Sequence, residues 1–253
     1  MLVLLTALSG SGCQLPPRTQ GFYTIVGDDS RRHAPVPPVS QAEWTLSRAR
    51  LERLRKELPR RPYVGRVQMG VVDPRSGRRL QARGAVAVSP DRAARLILLG
   101  PAGTTALDLW VTRDRFRFTI PSIKLDKRGG SDPAHARGLP VGLLRWWFLA
   151  PMEGQLLVAR SSATETAFLL RDGAAFVTVR TDRDRFVALR RAHGRMEGLE
   201  WIARGLTPHA GARGQYIDGE SGLHVHVVIE EVLPEEPDPE AFLEPDEERG
   251  TTL

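Results

Sequence analysis

The single thiol of the chain, Cys13, is the first residue with distinctive chemistry. One cysteine rules out an internal disulfide and any thiolate metal cluster within one chain. A lone thiol behind the run MLVLLTALSGSG, apolar first and then small, invites acylation instead. A second candidate is the pair His224 and His226, which share one strand face and so could ligate a metal together. Two imidazoles without a third ligand make a poor site, and a surface strand accounts for them equally well. The carboxylates Glu165, Asp172 and Asp182 show no pairing of the kind acid–base catalysis needs. There is no Gly-x-Ser-x-Gly elbow, no Walker loop and no His-Glu-x-x-His helix. The expectation is therefore no catalytic residue, no metal and no cofactor. The chemistry to look for is binding.

Residues 1–12 read as the back half of a secretory signal peptide. The stretch also resembles a bacterial lipoprotein signal. Ser11 and Gly12 are the small residues before the cysteine, while Gly10 stands where leucine is usual, with Leu8 nearby. The resemblance implies that Cys13 is lipidated and becomes the mature terminus. Each buried methylene contributes ~0.8 kcal/mol, so several acyl chains give a stable anchor. Gln14, not Asp, follows the cysteine. By the same resemblance this permits residence at the periplasmic face of a bacterial outer membrane. Residues 13–39, with PPRTQ and APVPPVSQ, form a Pro-rich tether. No later segment reaches the ~20 apolar residues of a membrane span.

The elements that must position any site follow from periodicity. Ser40 and Glu43 have the spacing of a capping box, and Trp44, Leu51, Leu54 and Leu58 recur at near-helical spacing before Pro59. A basic amphipathic helix is expected over 40–58, packed on a domain. From Tyr63 onward apolar residues alternate, as in Val67, Met69 and Val71, and again in Leu107, Leu109 and Val111. Period two with one apolar face marks half-buried antiparallel strands. Ser89-Pro90-Asp91, Gly100-Pro101-Ala102-Gly103 and Asp172-Gly173 are turns between them. Gly- and Asp-rich residues 121–138 read as a long loop, and 205–222 as an uncertain Gly-rich stretch. Between Pro140 and Pro151 lies the most apolar short run, LLRWWFL, long enough for one or two helical turns. Trp146 and Trp147 would point about 100° apart, one into a core and the other toward a cavity or interface. About eleven strands are expected over 40–233, in a curved antiparallel half-barrel whose short helices plug the concave face.

Charge divides the chain. The net charge is +6, but residues 230–253 hold ten acidic residues against one Arg, leaving 35 basic and 20 acidic residues elsewhere. The arginines are scattered along strands without interleaved aromatics, which fits a solvated sheet face and argues against nucleic acid. Residues 234–253 are expected to be an acidic, solvating tail, with Phe242-Leu243 able to dock on the sheet.

Two motifs carry a family resemblance. Pro101-Ala102-Gly103-Thr104-Thr105 follows the strand LILLG, and Leu139-Pro140 precedes Leu144 and Trp147 at a fixed spacing. Together with Cys13 they resemble LolB-like outer-membrane lipoproteins of the LolA/LolB superfamily. The resemblance implies an eleven-stranded half-barrel whose cavity takes lipoprotein acyl chains and passes cargo into the outer membrane. It also implies acylated lipoproteins or lipid as ligand and a periplasmic LolA-like carrier as delivering partner. Pro101, Ala102 and Gly103 match the family's insertion loop, but Ala102 stands where an exposed Leu is usual, which puts insertion in doubt.

The cavity-wall candidates are Val67, Met69, Val86 and Val88 from the first strands and Leu107, Leu109, Phe116 and Phe118 from the next. The lid candidates are Leu143, Trp146 and Trp147. The rivals are a structural or interaction lipoprotein of the envelope without cargo, and a carrier of another lipid on the same fold.

Overall fold

The computed structural model describes residues 39–245 except 73–76, 78, 91, 132–134, 150–151, 162–164, 183 and 204–205. Cys13, the signal-like run and the tether lie outside the described residues, as does the tail beyond 245.

One helix, α1 (Gln41–Glu57), precedes the strands. The first meander is β1 (Tyr63–Val72), β2 (Arg79–Ser89), β3 (Ala93–Leu99), β4 (Thr105–Thr112), β5 (Arg115–Ile120) and β6 (Leu125–Gly130). The second is β7 (Gln155–Ser161), β8 (Thr166–Asp172), β9 (Ala175–Asp182), β10 (Arg185–Ala192), β11 (Arg195–Ile202), β12 (Arg213–Asp218) and β13 (His224–Leu233). A π-helical turn, Leu143–Leu149, stands between them and is termed the lid helix. Short hairpins pair each strand with its sequence neighbour, and β1 pairs with β13 to join the two meanders. The result is one open, curved antiparallel sheet running from β6 at one edge to β7 at the other.

Thirteen strands are present among the described residues, not the expected eleven. The two extra strands lie where the sequence lacks alternation. β6 reads LDKRGG, and its middle residues Asp126, Lys127 and Arg128 are exposed. It is an edge strand, and charge there discourages pairing with other chains. β12 reads RGQYID, its inward pattern interrupted by Gly214. A Cβ at Gly214 would overlap the ring of Trp147, so the glycine is where the lid helix lies against the sheet.

The helix begins as expected. Ser40 Oγ accepts from the Glu43 N–H at 3.2 Å. The Glu43 carboxylate does not complete a capping box on Ser40; it accepts from the Ser161 N–H at 3.5 Å and so tethers α1 to β7. Leu51 and Ser47 are fully buried, with Trp44, Leu54 and Leu58 half-buried beside them. Leu58 turns extended and the helix ends before Pro59.

The inward residues of nearly every strand meet the lid helix in one hydrophobic core. Several outward arginines of the sheet are cross-linked to neighbouring acids. Arg95 grips Asp108 with two hydrogen bonds of 3.1 and 2.9 Å, and Arg117 reaches Asp126 at 3.0 Å. The tail up to residue 245 does not float free. Phe242 is buried, its carbonyl accepts from Trp110 Nε1 at 3.1 Å, and Glu244 pairs with Arg115 at 2.8 Å. This segment covers the outer face of β2 and β3, because one large aromatic buried against Trp110 outweighs the solvation of the acids around it.

Candidate functional site

The lid helix is buried almost all round: Leu143, Leu144, Trp146, Trp147, Phe148 and Leu149 all lie in the core. Arg55 of α1 holds the loop after it, donating from Nε to the Met152 carbonyl at 3.0 Å and from Nη2 to the Gly154 carbonyl at 2.6 Å. Trp147 meets Trp201 of β11 edge-on, ring centroids 3.8 Å apart, and Phe148 at 4.8 Å.

Two cavities among the described residues border the lid, and another lies beside α1. The first, of about 180 Å³, is walled by Trp147, Phe148, Leu149, Trp201, Leu206 and Tyr63, with the α1 end and Pro90 completing it. Trp201 is 1% exposed, yet its indole N–H has no acceptor among the described residues. A buried donor without a partner costs about 1–3 kcal/mol. Burial alone pushes the Tyr63 phenol well above its ordinary value, so it stays a neutral hydroxyl.

The second cavity is larger, about 610 Å³, and lies between α1 and the ends of β7, β9, β10 and β11. Leu54, Phe186, Ala203 and Leu206 give it an apolar surface, while Arg50, Arg53, Glu57, Asp182 and Arg185 supply charge. Leu206 lines both cavities.

The third cavity, of about 190 Å³, is polar. Trp146 borders it with Arg113, Arg145, Arg190, Glu153 and Glu197. Beside it lies a buried network. Tyr216 Oη donates to Glu197 Oε1 at 2.7 Å, and Arg190 Nη1 donates to Glu197 Oε2 at 3.2 Å. A Cβ at Gly142 would overlap both the Glu197 carboxylate and the Tyr216 hydroxyl, so this glycine lets the lid approach the network. Neither the network nor the orphan indole was visible in the sequence, since both depend on register across non-adjacent strands.

The sequence candidates separate. Val67, Met69, Val86, Val88, Leu109, Phe116 and Phe118 are buried in the core, with Leu107 half-buried against it. None of these eight lines the three cavities. Of the lid candidates, Trp147 borders the first cavity and Trp146 the third, while Leu143 is core. Pro101, Ala102 and Gly103 form one exposed 3-10 turn, with Ala102 in the left-handed region at φ 57°.

His224 and His226 do stand together on the outer face, ring centroids 4.2 Å apart. No third ligand joins them: no group of three metal-ligating side chains exists among the described residues. Burial first, then His226 and Arg79, pulls His224 down to about 4, and burial with Arg79 lowers His226. The folded chain therefore keeps these rings neutral while the unfolded chain protonates them near 6.5. The unfolded state binds more protons, so stability falls as pH drops from about 6.5 toward 4. Urea midpoints measured across that window should decline, and His224→Gln should flatten the decline. An identical slope in the variant would contradict the assignment.

No protein-family model matches the chain, and no curated protein matches it. Among solved structures, a LolA superfamily protein from Nitrosomonas europaea superposes with a TM-score of 0.48 at 14% identity, covering 78% of this chain and 97% of that one. An outer membrane lipoprotein-sorting protein domain from Vibrio parahaemolyticus gives 0.45 at 9% identity, covering 76% of this chain and 93% of that one. A DUF1329 family protein from Desulfovibrio piger gives 0.47 at 11% identity, covering 84% and 99%. At such scores the likeness carries no functional inference, and the fold is read from the strand order itself.

Proposed function

We propose that the chain is a lipid-anchored envelope protein that binds the acyl chains of lipoproteins, or of another lipid, and helps place them in the outer membrane. The observation that carries this reading is the pair of cavities that share Leu206, one of them walled by Trp201, whose buried indole N–H has no partner among the described residues. An alkyl chain in the first would gain roughly 25 cal/mol per Å² of apolar surface removed from water. An ester or amide carbonyl on that chain would give the indole its acceptor. Fuller entry needs the lid helix to move, and the wall residues Val67, Val86, Leu109 and Phe116 would then face the ligand. The anchor is Cys13, and delivery by a LolA-like periplasmic carrier fits an apolar cargo that cannot cross water alone.

Membrane contact has its own candidate. The turns at Pro101–Gly103 and Pro121–Ile123, which join β3–β4 and β5–β6, share one end of the first meander with the end of β1 and the start of β2. Near them Leu80, Leu99 and Ile123 are 68%, 47% and 67% exposed. These larger apolar tips supply what Ala102 lacks beside Pro101 and Gly103.

The test uses full-length Cys13→Ser protein and the fluorescent probe 1-N-phenylnaphthylamine. Probe binding, and its displacement by a diacylated cysteinyl peptide but not by the same peptide without acyl chains, is the expected result. Absence of both overturns the reading. It would leave the second one, a cargo-free structural lipoprotein, which is favoured by the close packing of the wall residues into one core.

A further inference from the structure

We propose that the ligand carries an anionic head group, recognised by Arg50 and Arg53 at the mouth of the larger cavity. The proposal deepens the acyl-binding reading and rests on it. Leu46, Arg50, Arg53 and Glu57 recur at helical spacing on α1, and all four line the 610 Å³ cavity. The opposite side of the helix, through Ser47 and Leu51, is buried. Helix α1 thus spends one face on packing and presents another to the opening.

That face carries two arginines outside any ion pair among the described residues, as Arg60 is at the first cavity and Arg145 at the third. Arg95, Arg117 and Arg190 are each committed to a carboxylate. Arg185, on the far wall of the same cavity, is held through its Nε by Glu200 at 2.6 Å. Arg50 and Arg53 have no ion-pair partner among the described residues, though they stand within one helical turn of each other. Glu57 is one turn further along, and Asp182 lies on the strand side of the cavity. Two free guanidinium groups over an apolar cavity suit a carboxylate or phosphate on an alkyl chain. The fork of each guanidinium matches the paired oxygens of such a group. The tail would extend toward the chamber of Trp147 and Trp201, which Leu206 also lines. A neutral amphiphile could use the same apolar surface but would leave the arginines unanswered. The geometry therefore separates an anionic lipid from an uncharged one of equal chain length.

Head charge can be varied at constant tail. In full-length Cys13→Ser protein, quenching of tryptophan fluorescence by 9,10-dibromostearate is compared with quenching by dibrominated monoolein. The bromines report proximity to Trp147 and Trp201, and Trp147→Phe identifies the share of the first. The anion should bind about tenfold more tightly, since charge-assisted hydrogen bonds at a part-exposed site have that order of effect. Arg50→Gln with Arg53→Gln should abolish this preference, weakening stearate binding about tenfold and monoolein binding far less. Glutamine matches arginine in helix propensity and both positions are exposed, so the fold is preserved. Raising salt should weaken only the anion. Equal binding of the two lipids, or equal weakening of both in the variant, overturns the proposal while sparing the cavity. Competition by inorganic phosphate at the same concentration would reassign the arginines to a free anion and also overturn it. Quenching by neither lipid overturns the acyl-binding reading itself, and this proposal with it.

Discussion

Glu197→Ala should cost the fold about 3–5 kcal/mol, read as a lower urea midpoint with an unchanged slope. Glu197 is 7% exposed and Arg190 8% exposed, so their charges are compensated by each other far more than by water. Removing the carboxylate strands the guanidinium, whose remaining acid, Asp172, lies 3.7 Å from its Nε. It also strands the Tyr216 hydroxyl. Burial above all, and then the Glu197 charge, raises the Tyr216 phenol far above its ordinary value, so it remains a donor in need of an acceptor. The loss belongs to the uncompensated partners and not to the bridge as such. A triple variant, Arg190→Met with Glu197→Met and Tyr216→Phe, should therefore recover most of it. If the single variant is as stable as the parent, the network is open to water and this account of it fails.

The second large effect is expected at the lid. Trp147→Ala removes a side chain that is 8% exposed and packs on Trp201 and Phe148, and such truncations cost about 3–5 kcal/mol. Gly214→Ala attacks the same contact from the other side, because its methyl group would overlap the Trp147 ring. In the double variant the methyl meets only the space the indole left. Its cost should be close to that of Trp147→Ala alone, well short of the sum. Thermal melts of the four proteins close the cycle. Additive losses would mean that Trp147 and β12 do not touch.

These two sites show where sequence reading reaches and where it stops. The strands with clean alternation, such as Val67, Met69 and Val71, were legible because side chains two apart must share a face. Helix α1 was legible from Ser40, its leucines and Pro59. The lid was legible as a short apolar run, because a stretch that is apolar on every side has to be buried. β6 and β12 were hidden: one is an edge strand that prefers charge, and the other gives up an inward side chain at Gly214 to admit an indole. The cavities were hidden for a different reason. They are bounded by α1, the lid and β11, elements far apart in the chain, and no local pattern encodes which residues will meet. Alternation in Val67, Met69 and the other wall candidates identifies an inward face but not whether that face is filled. Here it is filled, and the space lies beside it.

The pairing of β1 with β13 has a consequence for biogenesis. Val72 lies opposite His224 and Val64 opposite Leu233, so the seam that unites the sheet joins the oldest strand of a growing polypeptide to the youngest. Closing so long a loop is entropically slow, and the first strand waits with one side of its ladder unmatched until the last has emerged. A substitution that breaks this one ladder would part the sheet into two separate meanders, because no other strand pair among the described residues links them.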